Sequence, residues 1–111
     1  MRVYFDNSAS TKVADSVIEV MIKTMREDYG NPSAKHMMGV VAEKYVKEAT
    51  RIIAKTLKVE EKEILFTSGG TESNNIALIG GALANQRRGK HIISTAIEHP
   101  AVYEPLGILV E

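Results

Sequence analysis

The run Ile76-Ala77-Leu78-Ile79-Gly80-Gly81-Ala82-Leu83-Ala84 has no polar face. A helix that is apolar nearly all round must be covered on more than one side, so it needs other layers around it. Gly80 and Gly81, lacking a Cβ, predict close packing of this helix against another backbone. Short apolar segments flank it and read as strands. Ile64-Leu65-Phe66-Thr67 comes before it. Ile92-Ile93-Ser94-Thr95 comes after it, beyond the exposed turn Gln86-Arg87-Arg88-Gly89-Lys90. A further helix is expected to start between Ala101 and Pro105, since proline is tolerated in a first turn. Strand, helix, strand, helix predicts an α/β architecture with a mainly parallel sheet. Two strands are too few for a sheet that is normally buried on both faces. The chain is therefore expected to be part of something larger.

The first half of the chain reads as helical. Val3-Tyr4-Phe5 suits a short extended segment ended by the polar Asp6-Asn7-Ser8. Ala14, Val17, Ile18, Met21 and Met25 then fall at helical spacing, and Gly30-Asn31-Pro32 should stop that helix near Tyr29. After a polar loop over residues 33–39, Val41, Ala42, Tyr45, Val46, Ala49, Ile52, Ile53 and Leu57 mark a second amphipathic helix.

Composition narrows the function classes. The formal net charge is zero and no basic block stands out, so neither nucleic acid nor an anionic membrane is an expected partner. Without a cysteine, this stretch of chain has no disulfide, thiolate metal site or thiol nucleophile. No apolar stretch is long enough to span a bilayer, and the opening residues Met1-Arg2-Val3-Tyr4-Phe5-Asp6 resemble neither a signal nor a transit peptide. The expected location is cytoplasmic.

The turn after the strand at residues 64–67 carries the chemical signal. In Ser68-Gly69-Gly70-Thr71, a strand enters a glycine pair and then a helix. Free backbone N–H groups and the helix dipole favour an anion there. Gly69 and Gly70 allow a phosphate close to the backbone, and the hydroxyls of Ser68 and Thr71 can donate to its oxygens. Equally, Thr71 can be a helix cap with Asn74 three residues on. Neither a P-loop ending nor a G-x-G-x-x-G pattern is present.

His99 lies just past the strand at residues 92–95, where α/β sheets place ligand-binding loops. Pro100 restricts its backbone to extended conformations. A ring in this place can stack on a planar cofactor and move protons near neutral pH, or it can be a turn residue. His36 reads as a loop histidine and His91 as structural.

Taken together, four segments resemble the cysteine desulfurases, pyridoxal-phosphate enzymes of the class V aminotransferase group. They are Tyr4-Phe5-Asp6-Asn7-Ser8-Ala9-Ser10-Thr11, Tyr29-Gly30-Asn31-Pro32-Ser33, residues 66–75 (Phe66-Thr67-Ser68-Gly69-Gly70-Thr71-Glu72-Ser73-Asn74-Asn75) and Glu98-His99-Pro100-Ala101-Val102. The motifs occur in the family's N-terminal order over essentially the whole chain. The resemblance implies a three-layer large domain around a seven-stranded sheet. Residues 13–111 would be its N-terminal part, and residues 1–12 would go with the small domain. It also implies that Gly70 and Thr71 bind the phosphate of pyridoxal 5'-phosphate. His99 would stack on the pyridine ring and act as acid and base. The reaction would take sulfur from L-cysteine, giving L-alanine and an enzyme persulfide for iron–sulfur cluster assembly. The implied assembly is a homodimer that passes sulfur to an iron–sulfur scaffold protein.

The family's departures from this chain are equally specific. The cofactor-bonding lysine, the persulfide cysteine and the aspartate on the pyridine nitrogen are expected beyond residue 111. This stretch alone is expected to be inactive, completed by the rest of its chain or by a complementing subunit. The alternatives are a selenocysteine lyase or aminotransferase of the same class, and a non-catalytic interaction module.

Overall fold

The computed structural model describes residues 3–110. The expected divisions 1–12 and 13–111 include Met1, Arg2 and Glu111, which lie outside the described residues. The chain forms two compact units, one up to Ile64 and the other from Leu65 onward.

In the first unit the polar run after Phe5 folds as a turn, with the N–H groups of Ala9 and Ser10 donating to the Asp6 carbonyl at 3.2 and 3.3 Å. Helix α1 is Asp15–Arg26. Asp15 in its first turn and Arg26 in its last suit the helix dipole. It ends before Gly30, as the breakers predict, and none of its residues is buried.

Helix α2, Met37–Leu57, starts four residues before the expected apolar stripe. The reason is a cap: His36 is extended and its Nδ1 accepts the Gly39 N–H at 3.3 Å. The preceding loop clamps this start. Asn31 Oδ1 accepts the Ser33 N–H at 2.9 Å. A Cβ on Gly39 would collide with the carbonyls of Ala34 and Asn31, and one on Gly30 with that of Met38. Glycine is needed at both places for close approach. Tyr45, halfway along α2, donates to Asp28 Oδ2 at 2.6 Å, and Lys23 Nζ lies 3.6 Å from the same oxygen. The hydrogen bond with Tyr45, then the Asp28 carboxylate, raise the pKa of Lys23. α2 stops where Lys58 turns left-handed, at φ 57° and ψ 43°. Its N–H and that of Val59 then satisfy the last-turn carbonyls of Lys55 and Ala54.

The second unit is also helical. A continuous helical stretch covers residues 70–85: α3 (Gly70–Asn75), one π-helical turn (Ile76–Gly80) and α4 (Gly81–Asn85). Backbone angles at the two joins stay α-like, with Ile76 at φ −61°, ψ −45° and Gly81 at φ −62°, ψ −44°. The turn over residues 86–88 follows as expected. Helix α5, Pro100–Ile108, packs on α3 and the π turn, and Pro105 within it is buried.

Two expectations need correction. No strand forms among the described residues; residues 3–5, 64–67 and 92–95 are not in a ladder. A strand exists only by pairing, and these segments do not pair with one another. The apolar helix is covered only in part, by α5 on one side, with Ile76 46% and Leu83 57% exposed. Nothing lies within 4 Å of a Cβ placed on Gly80 or Gly81, so no backbone packs against them among the described residues. The only buried hydrophobic residues described are Ala42 and Ala54. The helices hold their local shape through hydrogen bonds and caps, while the layers that would bury them are not among these residues.

Candidate functional site

The site lies in the second unit, where the start of α3 and the start of α5 share a groove. Gly69 is the N-cap of α3 and makes no side-chain cap, so Gly70 and Thr71 are the first two helical residues. Thr71 is therefore inside the first turn and is not its cap. The first N–H groups of an α-helix have no intrahelical partner, which leaves this end a donor surface. A Cβ on Gly69 or Gly70 would meet nothing within 4 Å, so the approach to that backbone is open.

Ser68 behaves differently from the expectation. Its N–H and its hydroxyl both donate to Glu72 Oε2, at 2.6 and 2.7 Å. Charge-assisted bonds of this kind are strong, and a carboxylate four residues ahead reaches back naturally across a helix start. These bonds, the Ser68 N–H first and its hydroxyl second, hold the Glu72 carboxyl below its ordinary range. Ser68 is thus committed to Glu72 and is not presented to a ligand. Thr67 Oγ1 and Ser73 Oγ, 2.6 Å apart, tie the turn to α3 from the other side.

His99 is the N-cap of α5. It is extended, at φ −63° and ψ 147°, as a residue before proline should be. Its Nδ1 accepts the Ala101 N–H at 3.1 Å. Its carbonyl accepts from Val102 and Tyr103 at 2.8 and 3.1 Å. Just before it, Thr95 Oγ1 donates to Glu98 Oε1 at 2.7 Å, closing the bend that leads into α5.

Thr71 and His99 both line an open groove of about 310 Å³, together with Asn75, Pro100, Glu104 and Ile108. Twenty-eight residues apart in sequence, the two candidates come together because α5 packs on α3. Gly70 lies one residue from Thr71 but is not in the lining. His36 caps α2 in the first unit, and His91 lines a different groove of about 430 Å³ along the uncovered α4. That larger groove is mostly apolar wall and belongs to the unburied helix face.

Asn75 and Glu104 on the groove escaped the sequence reading. Asn75 is half-buried and its Nδ2 donates to the Thr71 carbonyl at 2.8 Å. The signal was available: Thr71 and Asn75, and likewise Pro100 and Glu104, are four apart and so share a helix face.

Comparison with known proteins identifies the family of the chain. The cysteine desulfurase IscS of Methanosarcina thermophila is 49% identical over 100 residues, which is 90% of this chain and 25% of that protein. The cysteine desulfurase IscS of Dictyoglomus turgidum is 45% identical over 107 residues, 96% of this chain and 27% of that protein. The chain therefore spans about a quarter of the length of these curated relatives. A solved structure described as a NifS-like protein superposes with a TM-score of 0.88 at 47% identity, over 99% of this chain and 30% of that one. The backbone is thus a portion of the pyridoxal-phosphate-dependent transferase fold, with helices and no strand among the described residues. The pattern of aminotransferase class V matches residues 3–109, which takes in both helix starts on the groove, and the chain belongs to that family.

Proposed function

We propose that this chain supplies one wall of the cofactor pocket of a pyridoxal-phosphate-dependent cysteine desulfurase. The observation that carries this reading is the shared groove, where Thr71, next to the unobstructed backbone of Gly70, comes together with His99. The residues fit the cofactor in kind. An unobstructed helix start with an exposed Thr71 suits a phosphate, and an exposed imidazole on the same groove suits a planar ring. Bound pyridoxal phosphate supplies an electron sink for bond changes at the amino-acid carbon to which it is joined.

The chain's own residues then have distinct duties. The N–H groups of Gly70 and Thr71 and the Thr71 hydroxyl hold the phosphate. Asn75 steadies that turn through the Thr71 carbonyl. Glu72 keeps Ser68 folded against the helix start. His99 lies against the ring and moves protons.

The net reaction transfers one sulfur atom. L-Cysteine and an enzyme thiol become L-alanine and an enzyme persulfide: the C–S bond of cysteine breaks, an S–S bond forms, and of the two thiol hydrogens one ends on the alanine methyl group and one on the persulfide. This stretch has no cysteine, so the receiving thiol belongs to a part of the protein outside these residues. A homodimer, a cytoplasmic setting and an iron–sulfur scaffold as sulfur acceptor complete the reading. No described helix is long and apolar enough to cross a membrane. Residues 1–12 go with the small domain and the rest with the large one.

The test is product stoichiometry in the full-length protein. With pyridoxal phosphate and L-cysteine it should form alanine and protein-bound persulfide in equal amounts. A cofactor-loaded protein that forms no alanine from cysteine refutes the assignment.

A further inference from the structure

Of Thr71 and His99, the two sequence candidates that line the groove, His99 is the one whose side chain is engaged by the backbone among the described residues. Its Nδ1 accepts the Ala101 N–H at 3.1 Å, so that nitrogen carries no proton. Neutral imidazole has one N–H and one bare nitrogen, and fixing one fixes the other. Pro100 sharpens the arrangement, because it has no N–H. Ala101 is therefore the first donor that α5 can offer after His99, and the cap takes it.

We propose that the two ring nitrogens of His99 have separate duties in the neutral ring: Nδ1 is the acceptor that holds the start of α5, and Nε2, bearing the proton, is the hydrogen-bond donor available to the groove. This rests on the functional reading above only in what Nε2 is used for. The division makes the ring a rigid part of the helix start. Its orientation is then set by the backbone and not by the ligand. Hydrogen-bond donation from Nε2–H leaves the α5 cap undisturbed, whereas protonation of Nδ1, the one basic nitrogen of this tautomer, would break it.

Two isosteres separate the nitrogens. An asparagine places its Oδ1 where Nδ1 stands and is among the best N-caps. A glutamine places an amide nitrogen near Nε2 but is a poor cap. The experiment uses the full-length protein labelled with ¹⁵N-histidine. The expected spectrum gives His99 a bare, pyridine-type Nδ1 and a protonated Nε2. Amide exchange at Ala101 should be slow in wild type and in His99→Asn, and about fivefold faster in His99→Gln, the loss typical of one cap. A proton on Nδ1 in the wild-type spectrum overturns the proposal. So does Ala101 exchange in His99→Gln equal to wild type. The wild-type spectrum decides the matter even where a variant fails to fold. Failure of the protein to make alanine from cysteine would sink the functional reading alone, so the two failures are distinguishable.

Discussion

Helices α2 and α5 both begin with a histidine whose Nδ1 accepts a backbone N–H, from Gly39 at 3.3 Å and from Ala101 at 3.1 Å. The cap is chemically the same, and the surroundings are not. At α2 the loop closes over the helix start: Gly39 is buried and hemmed in by the Ala34 and Asn31 carbonyls. At α5 the histidine stands on an open groove with Thr71. His36 is itself exposed, and its cap fixes the start of a helix that the loop carbonyls crowd at Gly39. One beside free helix-start donors keeps its second nitrogen for chemistry.

The largest expected effect breaks the two histidines apart. In the full-length protein His99→Gln should slow sulfur release by about 10²–10⁴-fold, the range for loss of a general acid or base. His36→Gln should leave turnover unchanged and lower only stability, by about 1 kcal/mol for a lost cap. Equal losses of turnover would erase the contrast. Next in size comes the groove's other wall. Thr71→Val removes a charge-assisted donor, and equilibrium dialysis should show cofactor binding weakened by about 1–3 kcal/mol. Thr71→Ser, which keeps the hydroxyl, should recover most of it. In the sealed region, Gly39→Ala forces a methyl group onto two backbone carbonyls. Thermal unfolding should report a loss of about 1–3 kcal/mol, as overpacking typically gives.

The sequence showed these two regions unequally. The helix periods near residues 14–26 and 41–57 come from one apolar face each, and that signal survives without any partner. The strands at 64–67 and 92–95 were read from residue type, but a strand needs a neighbour, and among the described residues they have none. The long apolar helix was read as buried for the same reason: its composition states what it needs, not what surrounds it. Thr71 and His99 stood out as candidates because a glycine-rich turn and a His-Pro step are local patterns. Their meeting in one groove was not legible, since it depends on α5 packing on α3. Nor could residue type show that Ser68 would turn to Glu72, because either a bound anion or a nearby carboxylate satisfies the same donors.

The smallest effect is a pH dependence at that turn. Ser68 holds the Glu72 pKa below the unfolded value of about 4.3. The contribution is therefore present above that value and is lost as pH falls through the lower folded pKa. Amide exchange at Ser68 should quicken as pH falls through that window, beyond the intrinsic trend, and Glu72→Gln should abolish the extra change. A wild type that follows the intrinsic trend alone would mean the Ser68–Glu72 bonds do not form in solution.

The central claim is that the groove between the starts of α3 and α5 is a wall of the cofactor pocket. A crystal structure of the full-length protein with pyridoxal phosphate tests it most directly. The account predicts the phosphate within about 2.7–3.0 Å of the Thr71 N–H and hydroxyl, the spacing of charge-assisted hydrogen bonds. It also predicts the pyridine ring against His99, with the Nδ1 bond to Ala101 intact. A cofactor bound with its phosphate away from Thr71, or with its ring out of reach of His99, would contradict it.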